Sequence, residues 1–536
     1  MNNHHENDLD QAVSIEQAIA ISPEATDAEV SLQMQAKHTF AVDYKDGIFA
    51  LLAYVLGFIF ARWVLFCWQG WGVTAFTLVY CGAVSIYLLK KGVHFTRAGW
   101  FWLAVVILTG TSFSLWSNNG LEPWKNQILF CSAVYWIIST TGLTILGKTS
   151  NLIVLDGFNA LFAIPFRNFG YQFKSLAYFG KYQRARTRKI YPVILGLFLS
   201  AILFAMVLPL LMQADSGGFS KITNGIFTYL NGLEIGIWEN VLYAILAIPI
   251  GAYMFGLVAG SANKSGIDLF TKDRTMKTLS ALRVLPAATV FILLGLLCAL
   301  YIVFVGSQLP YFFSAFVGER PEGWQVYSEY ARSGFFELCS IAAINLTVLI
   351  AANIMGKIHY RESTALKLLN ALLAILTIIL IATAMSKMVL YIGAYGLSMR
   401  RLLPCLFMLF MAVICGGVIA LQKYEFSITR LAVGLGVVMM CMLCLANPDS
   451  FVARYNAERY LAGTLSDFDV DILYRSGPAG VGSALRVHDQ TGDQVLRTQL
   501  KDYLLVQYQE ASSSAGHTRD NFEQAYARQK ITENNL

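Results

Sequence analysis

The feature that most constrains this chain is the recurrence, between Gly47 and Ala446, of apolar windows about 20 residues long, each sufficient to carry a helix across bilayer hydrocarbon. We count about eleven, at residues 47–67, 71–89, 98–116, 127–146, 190–212, 236–260, 285–305, 333–355, 365–385, 402–421 and 428–445. Their continuous apolarity excludes a barrel, whose strands would alternate apolar and polar residues over about 10 positions. Composition agrees: 56% of residues are hydrophobic and 14% charged, against about 25% charged in soluble domains. The expected fold class is all-α, a polytopic helical membrane bundle (residues 47–446) followed by a small C-terminal helical soluble region (447–536).

Charge at the span ends sets the expected orientation. Residues 1–46 are acidic (Glu6, Asp8, Asp10, Glu16, Glu24, Asp27, Glu29) and lack the basic start and apolar core of a signal peptide, which reads as a disordered or weakly helical cytoplasmic tail. Lys and Arg gather at Lys90, Lys91 and Arg97, at 181–189, at 264–283 and at Lys357 and Arg361, whereas residues 213–235 carry only Lys221. The positive-inside tendency then puts the N-terminus in the cytoplasm and, after eleven spans, the C-terminus outside the cell (plasma) membrane. The net charge of +6 is accordingly a topology signal and not a nucleic-acid footprint. The expected partners are the lipid bilayer and the anionic lipids of its cytoplasmic face; a membrane-protein partner is left open, and no nucleic acid is expected.

Between spans four and five, Phe158, Phe162, Phe166, Phe169 and Phe173 recur at helical spacing within residues 156–181, and Arg184, Arg186 and Arg188 follow. An aromatic stripe with a basic tail predicts an amphipathic helix lying on the inner leaflet. A helix whose Phe stripe packs on neighbouring spans is the alternative.

A second group of residues is polar where hydrocarbon is expected. Glu239 and Asn240 open span six, which is interrupted at Pro249 and Gly251 and ends in Gly256 and Gly260; this predicts either a kink with a close helix contact or a discontinuous helix. Residues 306–332 read as an aromatic-rich outer loop ending at Arg332, either an interfacial loop or a lid or outward-facing binding surface, with Glu337, Asn345 and Asn353 on span eight below it. Lys387, Tyr391, Tyr395, Arg400 and Arg401 form an outer segment that breaks the charge rule, and Glu337 is expected to pair with Lys387 or Arg401.

Catalytic, cofactor and metal residues are predicted to be none. Gly142 to Thr149 matches the phosphate-loop pattern literally, but Leu143, Thr144, Ile145 and Leu146 finish a membrane helix instead of forming a glycine-rich turn after a strand. Asp467, Asp469 and Asp471 start like a calcium loop, yet Ile472 stands where glycine is needed and Pro478 where the closing Glu should be. The nine cysteines lie in or beside apolar runs without a C-x-x-C pair.

Four motifs occur in order: Tyr311-Phe-Phe-Ser-Ala-Phe316; Tyr330-Ala-Arg-Ser-Gly-Phe-Phe-Glu-Leu338 leading to Asn345; Leu390-Tyr-Ile-Gly-Ala-Tyr-Gly-Leu397 with Arg401; and Asn447-Pro-Asp with Ala453-Arg-Tyr-Asn456. Over residues 152–485 the chain resembles a bacterial multi-pass membrane family known as domains of unknown function 4153 and 4173. The resemblance implies a polytopic bacterial membrane protein and no particular chemistry. The residues favour a non-catalytic membrane scaffold or sensor; a secondary transporter for a small solute or ion is the alternative, and a membrane-embedded transferase ranks third.

Overall fold

The computed structural model describes residues 40–147, 149–183, 196, 200, 237–265, 272–317, 327–357 and 363–534. Helices account for the regular structure and, among the described residues, there is no strand; Leu285 and Gly356 form an isolated bridge. Nine described helices are long and apolar enough to cross a membrane. The chain is an all-α membrane protein. Residues 1–39, the predicted fifth span apart from positions 196 and 200, and Arg184, Arg186 and Arg188 lie outside the described residues.

The first bundle contains α1 (Tyr44–Trp63), α2 (Gly70–Lys90), α3 (Arg97–Leu115) and α4 (Glu122–Thr141), followed by α5 (Ile153–Phe158), a π-helical turn (Asn159–Ala163), α6 (Ile164–Asn168), α7 (Tyr171–Gln183) and α8 (Ile237–Ala262). Helix α1 starts before residue 47: Asp43 caps it reciprocally with Asp46, and Phe40 is already buried, so the acidic stretch is part of the bundle from here on.

Small residues let α1 and α8 meet backbone to backbone. A Cβ on Gly57 would lie 2.6 Å from the Ala247 carbonyl oxygen, and one on Gly251 2.8 Å from that of Ala53. The same device repeats at the end of α8, where Gly256 faces the Pro165 carbonyl and Gly260 the Asn168 amide. Helix α8 is continuous with Pro249 inside it, so of the two readings of span six the close contact is the one seen.

Helix α9 (Lys272–Ala281) leads to a second bundle of α10 (Ala287–Val317), α11 (Tyr327–Met355), α12 (Thr364–Tyr395) and α13 (Met399–Leu421), with a separate core around Leu294, Phe335, Leu373 and Met408. Two boundaries correct the sequence reading. The outer loop expected at 306–332 is mostly helix, because apolar residues continue through Tyr311, Phe312, Phe313 and Phe316 and charge begins only at Glu319. Lys387, Tyr391 and Tyr395 likewise belong to α12, which stops at Gly396 with φ of 75°. At about 1.5 Å per residue, a helix of 32 residues projects beyond the hydrocarbon.

Helix α14 (Ile428–Ala446) packs on both α3 and α13 and joins the bundles. It leads into a helical cap with its own core: α15 (Pro448–Leu461), α16 (Val470–Ser476), α17 (Val481–Gln490), α18 (Gln494–Ser514) and α19 (Phe522–Glu533). Asn-Pro is a helix-start pattern, and Asn447 caps α15 with Pro448 at its first position; α16 and α18 overlap residues 466–477 and 489–512, which read as helices from the sequence, and α17 falls between them.

Candidate functional site: the seat of the cap

The cap rests on both bundles at the end remote from Asp46. On the second bundle, Asn456 accepts from Leu397 N and donates to Leu397 O, both at 2.7 Å, and Arg459 Nη1 donates to Ile392 O at 3.1 Å. A Cβ at position 396 would meet Asn456 Oδ1 at 2.7 Å, so glycine serves both the left-handed turn and the close approach. Two of the four sequence motifs therefore meet here.

On the first bundle the seat is more polar. Trp71 N and Gly72 N donate to Asp520 O and Thr518 O at 3.0 and 2.7 Å. Gly120 N donates to Asp449 Oδ2 at 3.1 Å. Glu523 accepts from Ser117 N at 3.0 Å and from Asn447 Nδ2 at 2.5 Å, and Asn118 Nδ2 donates to Cys444 O at 2.8 Å. Asn118 and Asn447 both adopt φ near 50°, a conformation that asparagine tolerates better than most residues. Beneath lies Lys125, whose residue is 1% exposed; its Nζ donates to Ser112 O at 3.2 Å and Trp116 O at 3.1 Å and sits 4.2 Å from the Phe113 ring centroid.

Charges in this seat are buried without closing into a direct pair. Among the described residues Lys125 has no carboxylate within ion-pair distance, and Asp449 Oδ1 and Asn118 Oδ1 have no hydrogen-bond partner. Burial pushes the Asp449 carboxyl up to about 6, opposed by the Gly120 amide and reinforced by nearby Glu523. Glu523 is also raised by burial, against the hydrogen bonds from Ser117 and Asn447. Each carboxyl thus holds its proton more tightly in the seated state.

The residues singled out from sequence are distributed elsewhere. Asn345 accepts from Tyr301 Oη at 2.7 Å and donates to Thr377 Oγ1 at 3.0 Å, while Asn353 and Asn370 exchange amide hydrogen bonds at 3.3 and 3.1 Å. These are contacts that hold α10, α11 and α12 together. Asn240 accepts from Arg62 at 3.1 Å, joining α8 to α1 beside exposed Glu239. Lys387 feels the charge of Glu337. Arg401 instead donates to Tyr395 O and Gly396 O and stacks 4.3 Å from the Tyr391 ring, which itself meets Tyr395 edge-on. The side chain of Arg332 lies outside the described residues.

Phe158, Phe162 and Phe166 are about half exposed or more, with Phe169 and Phe173 intermediate, while Ala163, Ile164, Asn168, Gln172 and Ser175 face inward. The Phe stripe thus looks outward. At the phosphate-loop look-alike, α4 already ends at Thr141 with Gly142 as its cap, so Leu143 to Leu146 form a turn and not the end of a membrane helix as expected; there Ile145 N is bound to Asp156 Oδ1 at 2.7 Å and Arg430 holds Thr149 O at 2.9 Å, so two of the loop's backbone groups have protein partners. Among the described residues no three His, Cys, Asp or Glu side chains come together as a metal site.

Sequence reasoning missed Lys125, Asn118 and Glu523. Lys125 was legible only as a cation just ahead of span four, which the observed α4 takes into its first turn; Glu523, far along a polar tail, carries no such signal. No curated protein and no solved structure matches the chain. The family described as "Domain of unknown function (DUF4153)" matches residues 103–487, starting well before the motifs and ending within the cap, in α17. That range takes in Gly120, Lys125, Leu397, Asp449 and Asn456, and the chain belongs to this domain family of unknown function.

Proposed function

We propose that this protein is a non-catalytic scaffold or sensor of the cell membrane, with its N-terminus in the cytoplasm and its helical cap outside. The observation that carries this reading is the seat itself: Asp449 and Glu523 of the cap close over Lys125 at the ends of α3 and α4. A cap held by backbone amides and two buried carboxyls, that of Asp449 only half satisfied, is poised to respond to whatever meets its outer surface. Transport is the weaker reading because the deep amides of α11 and α12 satisfy each other instead of lining a polar path. The anionic lipids expected at the inner leaflet would meet the basic residues after α7.

Hydrogen exchange on the full chain in proteoliposomes tests it. The amides of Trp71, Gly72, Ser117 and Gly120, all bonded to the cap, should be protected together, and Glu523→Ala should release them together. A solute or proton flux abolished by Asn345→Ala would overturn the reading in favour of a transporter.

A further inference from the structure

The first bundle encloses a cavity of about 480 Å³ between α1, α2, α4, α6 and α8. Its walls include Phe60, Phe76, Leu129, Ala133, Ile250 and Met254. Polar side chains are scarce there, and the Thr77 and Tyr253 hydroxyls are already donated to Val73 O and Leu161 O. A polar ligand would leave its own groups unpaired in such a space, and water would find almost nothing to bind. The occupant must be apolar.

The cavity reaches the surface through an aromatic rim. Phe130 and Phe166 both line it and are 41% and 61% exposed, and Tyr253 stands between them with ring centroids 6.4 and 6.1 Å away. Phe130 and Tyr253 stand near the middle of α4 and of the membrane-length helix α8, which points the opening at hydrocarbon and away from either aqueous face. Size then selects among apolar occupants. The volume falls within the about 300–1,000 Å³ of small-molecule pockets, whereas a spanning helix about 10–12 Å across and 30 Å long needs several times more.

We propose that this cavity is a binding site for a single hydrocarbon chain of a membrane lipid, entering sideways between α4 and α8 with its headgroup left outside. Phe130, Tyr253 and Phe166 form the entrance, and Ala133 and Ile250 line the path of the chain.

The full chain is reconstituted in phosphatidylcholine vesicles that contain a phospholipid bearing a diazirine midway along one acyl chain, then illuminated and mapped by peptide mass spectrometry. Adducts are expected on residues 129–134 and 250–257. Ala133→Trp and Ile250→Trp should each remove most of that labelling while leaving unchanged the adducts on outward-facing Leu296 and Val303 of the second bundle. A second probe with the diazirine in the headgroup should leave the cavity unlabelled in the unmodified protein, a result that needs no variant. Cavity labelling no stronger than at Leu296 and Val303, labelling by the headgroup probe, or labelling indifferent to both substitutions would each overturn the proposal. So would a diazirine amino acid at position 133 that crosslinks to residues 184–236 of the same chain and not to lipid.

Discussion

The two ends of the first bundle bury ionisable groups in opposite ways. At the α1 start, Asp46 is fully buried and meets its partners directly: Lys91 at 2.8 Å, the Tyr87 hydroxyl at 2.6 Å and the Asp43 amide at 2.8 Å. At the other end, Asp449 and Glu523 of the cap lie over Lys125, each of the three bound to backbone or amide groups and none paired with another. A closed ion pair fixes one geometry, because removing either partner strands the other. Charges held apart by neutral groups leave a seat that protonation can retune. The first end is built as a clamp, the second as a joint.

The sharpest way to break this comparison is Asp46→Ala. It would strand Lys91 and Tyr87 and cost about 3–5 kcal/mol, the usual penalty for breaking a buried pair. Thermal unfolding in detergent should show a large drop, and Asp46→Asn, which keeps an acceptor, a smaller one. If Asp46→Ala is no worse than a surface substitution, the clamp is not what orders α1 against α2.

The joint should instead reveal itself through pH. The Asp449 carboxyl titrates near 6 when seated, against 3.8 for the free side chain. A folded value above the unfolded one means the stabilisation is complete below about pH 4 and is lost as pH rises through about 6. Glu523 shifts in the same direction. The Asp449 displacement is worth at most about 3 kcal/mol, with Lys125 and Glu523 nearby contributing in opposite senses. Exchange of the Gly120 amide should accelerate between pH 4 and 6 beyond its intrinsic rate, and Asp449→Asn should flatten most of that rise. An unchanged profile in Asp449→Asn would remove Asp449 from the joint.

How much of this was legible in the sequence follows from the range of each interaction. The spans are visible because hydrocarbon selects apolarity residue by residue, and the helix at Asn447-Pro448 because capping is local. Helix ends were misplaced where apolar residues run past the bilayer, as at Tyr311 to Phe316. The joint was largely hidden because it unites Ser117, Asp449 and Glu523 across hundreds of residues of chain. Its local traces were the cation Lys125 ahead of span four and the Asn447-Pro-Asp motif, whose carboxylate finds Gly120 only after folding. The deep asparagines were visible as polar groups, but whether they face a ligand or one another depends on packing that no local pattern encodes.

The smallest expected effect lies at the rim of the joint, where Trp71 and Phe522 meet edge to face with ring centroids 4.8 Å apart. Both rings are about half exposed, so most of their area gains nothing from the contact. The backbone bonds from Trp71 and Gly72 to the Asp520 and Thr518 carbonyls hold the loop whatever the side chains do. The aromatic pair itself should therefore add only about 0.5–1.5 kcal/mol. A double-mutant cycle with Trp71→Ala and Phe522→Ala, read as exchange of the Gly72 amide, isolates that coupling from the loss of each ring's own burial. A coupling near zero would mean the cap is seated by its buried polar contacts alone; one rivalling the pH effect would shift the joint from its charged centre to its aromatic rim.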